Sequence, residues 1–417
     1  MDNSSFKFEN DLWSNLGSGD GTISYVNSED PSKFIYADPQ VNEFEYSAAW
    51  SGIDNADDLN CGDTYLGMPF EGSMGSPNMF YNGISKHNSM SCSSPTQFAK
   101  IVSYDADNIA DGPTIFNFPA GASAEDLGTS NVTSIAVAES NTDKVYVSLN
   151  AEYGWNLWVS GDAGNTFSPV IGTSSVDYDN ESGSSPNYPM TGPLHNKISD
   201  IAISSTDETL VWISFDGVSR YDNEYIEEKW RVLKTDSPGS GIWYDYSDGL
   251  PNLPVNTILY VDGYKDLLFA GTDAGVYYRT NDMAQWECFN NGLPLCLITD
   301  LEFDYCTKEL YASTFGRSVW KVKIPFNLAG EPGTDDEIVI TSDETWTTSQ
   351  DIRQSIRILP GQHLRIETPS GASETTTINM LTDKKIYVEQ GARLTIDGAT
   401  ITNDCAGFWG GIEVWGD

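Results

Sequence analysis

The sequence predicts an all-β protein whose larger part is a β-propeller of about six to seven four-stranded blades, on three observations. The stretch Leu267–Ile324 is a chain of short β-rich runs: Leu267–Gly271, Val276–Arg279, Ile298–Phe303, Glu309–Ser313 and Val319–Ile324. Within the runs apolar residues alternate, and Gly, Asp, Asn and Pro separate them, which describes the antiparallel strands of a meander. Leu267–Ala270 and Leu310–Ala312 fill one role, and Val276–Tyr278 and Val319–Lys321 another, so the unit recurs within about 43 residues, the period of a propeller blade.

Earlier segments repeat the same strand, polar turn, strand pattern. It occurs as Thr22–Val26 with Phe34–Ala37, Val132–Val137 with Val145–Leu149, and Ile198–Ile203 with Leu210–Ser214. Val255–Val261 with Leu267–Ala270 and Ile298–Phe303 with Leu310–Ser313 follow. A more divergent copy falls at Pro69–Ile84, with Ser76-Pro77-Asn78 as its turn. The anchors Val132, Ile198, Val255 and Ile298 advance by roughly 66, 57 and 43 residues. Insertions such as the Gly/Ser/Asn/Pro-rich Gly172–Pro193 account for the longer steps.

Composition limits the partners. The chain has 417 residues, room for two or more domains. Against 22 Lys and Arg stand 61 Asp and Glu, a formal net charge of -39, which repels nucleic acid and anionic lipid. No apolar run approaches the roughly 18 residues of a membrane span, so neither nucleic acid nor membrane insertion is expected. Met1-Asp2-Asn3-Ser4-Ser5 lacks the basic and apolar regions of a signal peptide. Either processing has removed one or Met1 opens a fragment. Of the six Cys, none has metal spacing. Cys61 and Cys92 could close one long loop, and Cys288, Cys296 and Cys306 sit around one blade junction. A disulfide and free or buried thiols are both open, and the connectivity is not readable.

The sharpest local motif is Ser160-Gly161-Asp162-Ala163-Gly164-Asn165-Thr166-Phe167, which fits S-x-D-x-G-x-T-[WF], an aspartate box between a blade's third and fourth strands. Its chemistry is structural: Ser160, Asp162 and Thr166 bond turn backbone, Gly164 permits a left-handed conformation, and Phe167 packs between blades. Thr280–Trp286 is a degenerate copy, one residue short.

Gly271–Arg279, Asn291-Gly292-Leu293-Pro294 and Phe315–Trp320 resemble the sialidase-type (BNR-like) aspartate-box propellers of large exported proteins of the type IX secretion pathway. That family is related to xyloglucanase and sortilin propellers. The resemblance covers roughly residues 8 to 325 and is most specific over 250–325. It implies export to the cell surface or medium, and it does not imply one chemistry.

Enzymatic relatives would need more than this chain displays. A sialidase needs an arginine cluster and a Tyr nucleophile, whereas this region holds Arg220, Arg231, Arg279 and Arg317, the last two expected in matching repeat positions. A xyloglucanase-like enzyme needs two facing carboxylates about 5 to 9 Å apart. Asp20, Asp200 and Asp300, near strand starts, are the weak candidates among many acids. Trp243, Tyr244 and Tyr246 form the densest aromatic cluster, either a sugar-stacking platform or outer-strand packing. Asp177, Asp179 and Glu181 alternate carboxylates as calcium loops do, which makes Ca2+ the one cofactor to consider. The run lacks a distal Glu, so a solvated acidic loop is the competing reading. His87, His195 and His363 are scattered singly, against a zinc site or a His-based triad.

After Pro325 the pattern changes. The predicted domains are the propeller over 1–325, a polar linker over 326–336, and a β-rich segment over 337–417. The last has short strands at Ile338–Ile340, Ser355–Ile358, His363–Ile366, Thr376–Ile378, Lys385–Val388, Arg393–Ile396, Thr400–Thr402 and Gly411–Val414. They look like the opening rungs of a β-solenoid, and Cys405–Gly416 resembles the first coil of β-helix regions in the same exported proteins. A solenoid buries its core only by stacking coils, so the expectation is a segment of a longer polypeptide, or of an assembly.

Two function classes follow. The favoured one is a non-catalytic extracellular scaffold or adhesin-type module, binding protein or glycan at the cell surface. The alternative is a glycoside hydrolase of xyloglucanase or sialidase-like type, acting with paired carboxylates.

Overall fold

The computed structural model describes residues 131–416 apart from 151–154, 173–186, 190–196, 218–219, 223–224, 228–229, 241, 263, 291, 325–336, 373–374, 404 and 406–407. Before residue 131 it describes the backbone of strands between Phe6 and Asn117, and the side chain of Tyr81. Among the described residues the protein is all-β, with one 3-10 turn at Pro238–Ser240. It divides into two compact units, residues 1–247 with 251–256, and 248–250 with 257–417.

The first unit is a run of antiparallel sheets. Ser24–Val26, Phe34–Asp38 and Glu43–Tyr46 form one, and Phe70–Ser73, Ser76–Ser85, Ala99–Asp105 and Thr114–Asn117 another. In the latter Ser73 pairs with Ser76, and Ser76-Pro77-Asn78, expected as a turn, lies within a strand. Asn131–Val137, Val145–Asn150, Trp155–Ser160 and Ser168–Gly172 make a four-stranded meander, hereafter the 131–172 sheet. Ile198–Ile203, Val211–Phe215, Val232–Thr235 and Ile242–Asp245 make the next, and Asn187–Pro189, from the expected insertion, adds a fifth strand at its edge.

These meanders form because their strands are apolar on both faces. Val145, Tyr146, Val147, Ser148 and Leu149 are all buried, as is every residue of Val211–Phe215. Ala136, Tyr146, Leu157 and Val170 share one apolar cluster with Ile201, Ile213, Leu233 and Trp243 of the following sheet. The other face of the 131–172 sheet packs Val132, Val147, Trp158 and Phe167 with Tyr81. Successive sheets therefore stack face to face, the packing that propeller blades require. Phe6–Glu9 and Leu12–Asn15 form a two-stranded antiparallel sheet, with Phe8 opposite Trp13.

The second unit continues the meanders and then changes geometry. Val255–Val261, Leu267–Thr272, Gly275–Arg279 and Glu287–Cys288 form a four-stranded sheet, and Ile298–Asp304, Glu309–Thr314 and Ser318–Lys323 a three-stranded one. They share a core of Leu267, Phe269, Val276, Ile298, Leu301 and Leu310. Gly271 is a place of close approach: an added Cβ would lie 2.6 Å from Thr257 Cγ2 of its own sheet and 2.7 Å from Ile298 Cγ2 of the next.

From Glu337 the pairing is parallel. Glu337–Ile340 pairs with Ser355–Ile358, that strand with Ile386–Val388, and that one with Ile412–Val414. Glu344–Trp346, His363–Glu367 and Arg393–Asp397 form a second parallel sheet, and Gln350–Ile352, Thr377–Met380 and Thr400–Asn403 a third. Alternate residues point into a common core, Ile356 and Ile358 with Leu364, Ile366, Ile378, Met380 and Ile386. Glu344–Trp346 and Gln350–Ile352 were not expected from the sequence.

Cys306 and Cys405 form a disulfide across a sequence separation of 99. In the chain-entropy account, closing a loop of that length stabilises the fold by about 4–5 kcal/mol. Cys288 is free and exposed and Cys296 free and buried, while Cys61 and Cys92 lie outside the described residues.

Candidate functional site

The first strands of three antiparallel meanders share one irregularity. The register shifts between Val132 and Ser134, between Ile198 and Asp200, and between Ile298 and Asp300. A bulge adds a residue that the partner strand does not match, here Thr133, Ser199 and Thr299. In two of the three the residue that follows is an Asp whose carboxylate bonds the next amide. Asp200 Oδ1 accepts from the Ile201 amide at 2.8 Å, and Asp300 Oδ1 from the Leu301 amide at 2.9 Å. Asp200 Oδ1 also accepts from the Ser134 hydroxyl at 3.1 Å, joining the bulges of neighbouring sheets. One residue earlier, Thr133 and Ser199 are hydrogen-bonded to Ser148 and Ser214, at 2.7 and 2.8 Å. Asp200 is half-buried, Asp300 is exposed, and Asp20 lies outside the described residues.

The Ser160–Phe167 turn joins Trp155–Ser160 to Ser168–Gly172. Asp162 accepts from the Thr166 amide and hydroxyl, both at 2.7 Å, and from the Ser160 hydroxyl at 2.8 Å. Ser160 Oγ in turn accepts from the amides of Asp162 and Gly164, at 3.1 and 2.8 Å. Ala163 and Gly164 are left-handed, with φ of 53° and 84°. The Thr166 amide, then the Thr166 and Ser160 hydroxyls, hold the Asp162 carboxyl below its ordinary pKa. Phe167 is buried in the core beneath.

The degenerate copy is built otherwise. Asp282 turns outward and pairs with Lys265, Arg279 Nη2 donates to the Ala284 carbonyl at 2.9 Å, and Trp286 is buried. Arg279 and Arg317 do not match. Arg279 lies opposite Leu268, and the corresponding partner of Leu310 is Val322. Arg317 sits in the preceding turn and is exposed. Arg231 Nη1 donates to the carbonyls of Gly217 and Trp230 at 2.6 and 2.9 Å, and its Nη2 to Asn252 Oδ1 at 2.9 Å. Arg220 has no described side chain.

The aromatic cluster separates by burial. Trp243 is 0% exposed, inside the core of its sheet, so it offers no face to a sugar and leaves the candidate set. Alternation along Ile242–Asp245 buries it, and Asn187–Pro189 pairs alongside. Tyr244 and Tyr246 are half-buried, with the Lys234 ammonium 5.5 Å from the Tyr246 ring centroid.

No group of three or more His, Cys, Asp or Glu among the described residues is placed to hold a metal ion. Asp177, Asp179 and Glu181 lie outside them, as do His87 and His195. His363 Nε2 is hydrogen-bonded to Thr395 Oγ1 at 2.8 Å. No described helix is long and apolar enough to cross a membrane.

Sequence reasoning missed one cluster, at the turn Tyr305–Lys308. There Tyr305 meets Asp262 and Arg353, and Cys306 meets Cys405. The available signal was a Tyr-Cys pair where the turns at 139–143 and 205–209 hold only Glu, Ser, Asn, Thr and Asp.

No protein-family model matches the chain, and no curated protein resembles it closely enough to be matched. Among solved structures it is similar to the GH74 xyloglucanase from Xanthomonas campestris, at 12% identity and a TM-score of 0.37, over 73% of this chain and 52% of that one. It is similar to a Niastella koreensis GH74 enzyme at 11% identity and TM-score 0.41, over 72% and 45%. An extracellular domain from B. thetaiotaomicron is similar at 13% identity and TM-score 0.40, over 72% and 32%. The chain thus spans between 32% and 52% of the length of these structures, and at these scores no shared activity follows.

Proposed function

We propose that this chain is a non-catalytic extracellular scaffold or adhesin-type binding module, an aspartate-box β-propeller of about six to seven blades running into the first coils of a β-solenoid. The observation that carries the reading is the use made of Asp200 and Asp300. Each carboxylate accepts from the amide that follows it at a strand bulge, and Asp200 also accepts from Ser134. Arg231 and Arg279 are likewise occupied with backbone carbonyls of their own sheets. Asp162 in this reading closes an aspartate-box turn and takes no part in chemistry.

The strongly acidic composition and the Cys306–Cys405 disulfide support a location at the cell surface or in the medium. The partner is a protein or glycan there, met by loops of the propeller. Ca2+ held by Asp177, Asp179 and Glu181 belongs to the same proposal and is checked by calorimetric titration.

One observation favours the hydrolase: Asp300 is exposed at the start of its strand. Passing the folded chain over immobilised xyloglucan and sialylated mucin decides between the readings. A binding module shows saturable retention and leaves the glycan intact. Recovery of shortened or desialylated glycan would replace this reading with the hydrolase.

A further inference from the structure

The turn between Ile298–Asp304 and Glu309–Thr314 carries two side chains with distant partners, Tyr305 and Cys306. Asp304 shapes it: Oδ1 accepts from the amides of Cys306 and Thr307 at 2.8 and 3.1 Å, and Oδ2 from the Thr307 hydroxyl at 2.7 Å. Tyr305 then projects with its ring edge-on to Phe303, centroids 4.9 Å apart. Its hydroxyl accepts from the Asp262 amide at 2.8 Å, which binds the turn to the preceding sheet. From the parallel sheets, the Arg353 guanidinium lies 4.1 Å from the Tyr305 ring centroid, and Gln354 donates to the Asp262 carboxylate. Asp262 and Gln354 are each 4% exposed and Arg353 6%. A charged, an amide and a carboxylate group have thus left water together, which is favourable only while all stay seated.

Beside this seat lies the covalent tie. Cys405 lies between the strands Thr400–Asn403 and Ile412–Val414; among the described residues of this stretch Trp409 packs against the core of the parallel sheets, and Ile386 N donates to the Gly411 carbonyl at 3.1 Å. Asp383 N donates to the Phe408 carbonyl at 3.5 Å and Gly410 N to the Lys384 carbonyl at 2.7 Å. Gly410 passes so close that a Cβ there would meet the Lys384 and Asp383 carbonyls at 2.9 and 3.0 Å. The disulfide links this segment covalently to the Tyr305–Lys308 turn.

We propose that Cys306–Cys405 is a redox latch on a joint already seated by Tyr305, Arg353, Asp262 and Gln354, so that the parallel sheets and the last antiparallel sheets form one rigid body only while the latch is closed. Opening consumes two thiols: the protein disulfide becomes the Cys306 and Cys405 thiols, and the reductant becomes its own disulfide. In an oxidising compartment the latch stays shut, and the parallel sheets point in a fixed direction. In a thiol-rich one the joint and the parallel strands that line it loosen, while the antiparallel sheets keep their fold. This inference is independent of what the module binds.

The test uses the full chain, with hydrogen exchange read by mass spectrometry before and after dithiothreitol, and peptide mapping without reductant. Mapping should recover Cys306 linked to Cys405. Reduction should speed exchange about tenfold or more across 350–356 and 405–415, and leave Leu268–Gly271 unchanged. Tyr305→Ala in the oxidised protein should loosen 350–356 while the linked peptide persists. Absence of the linked peptide, no change on reduction, or equal acceleration everywhere including Leu268–Gly271 would each overturn the latch. Should Tyr305→Ala not fold, the reductant arm on the unaltered protein decides alone.

Discussion

The Ser134 hydroxyl donates to Asp200 Oδ1 at 3.1 Å, and each of the two residues directly follows the unmatched residue of a strand bulge, in neighbouring sheets. Asp200 therefore serves two sheets, and the carboxylate that resembled a catalytic candidate is occupied by the fold. Asp200→Ala should lower stability by about 1–2 kcal/mol through loss of the Ser134 and Ile201 bonds, read as a shifted denaturant midpoint. An unchanged midpoint would show that the bond contributes nothing.

Asp162 offers a pH test. Its folded pKa lies below the ordinary value of 3.8, because the Thr166 amide and hydroxyl and the Ser160 hydroxyl bond the charged form. A depressed carboxyl contributes stability that is present above the unfolded pKa and lost as pH falls through the folded one. Acid unfolding should thus set in at higher pH in Asp162→Ala, whose thermal midpoint should also be lower by several degrees. Identical acid limbs for the two proteins would contradict the turn's role.

Tyr81 gives the opposite limb. Burial, then the nearby Asp143 charge, raises its pKa from 10.0 to about 12. A raised phenol contributes stability that is complete below the unfolded pKa and disappears as pH rises through the folded one. Alkaline titration should therefore show a late tyrosinate step near pH 12 from Tyr81, together with loss of structure, while Tyr146, whose pKa burial and the Glu208 charge also raise, ionises later still. In Tyr81→Phe that late step should be missing.

Gly271→Ala tests sheet packing in the second unit. The new methyl would press on Thr257 and Ile298, neither of which is a flexible chain end. Overpacking of this kind costs about 1–3 kcal/mol, measured by denaturant unfolding. A neutral effect would mean that the two sheets are not in close contact there.

Legibility in the sequence followed the distance over which structure is decided. The Ser160–Phe167 turn was readable because all its partners lie within eight residues of chain. Asp200 and Asp300 were readable as residues near strand starts, but not as bulge residues, since a bulge exists only relative to a partner strand. Matching Arg279 with Arg317 failed for the same reason: residue type suggested it, and register decides it. Glu344–Trp346 and Gln350–Ile352 are three residues each and mostly polar, too short for a periodic signal. The Cys306–Cys405 pair depends on how the parallel sheets dock, which no local pattern encodes.

The central claim is that the carboxylates of Asp200 and Asp300 hold strands and not substrate. Denaturant unfolding and mass-spectrometric product analysis on xyloglucan, run on the same samples of the unaltered chain, Asp200→Ala and Asp300→Ala, test it most directly. The account predicts a lowered midpoint for Asp200→Ala and no product from any of the three. Product from the unaltered chain, abolished by either substitution at an unchanged midpoint, would contradict it.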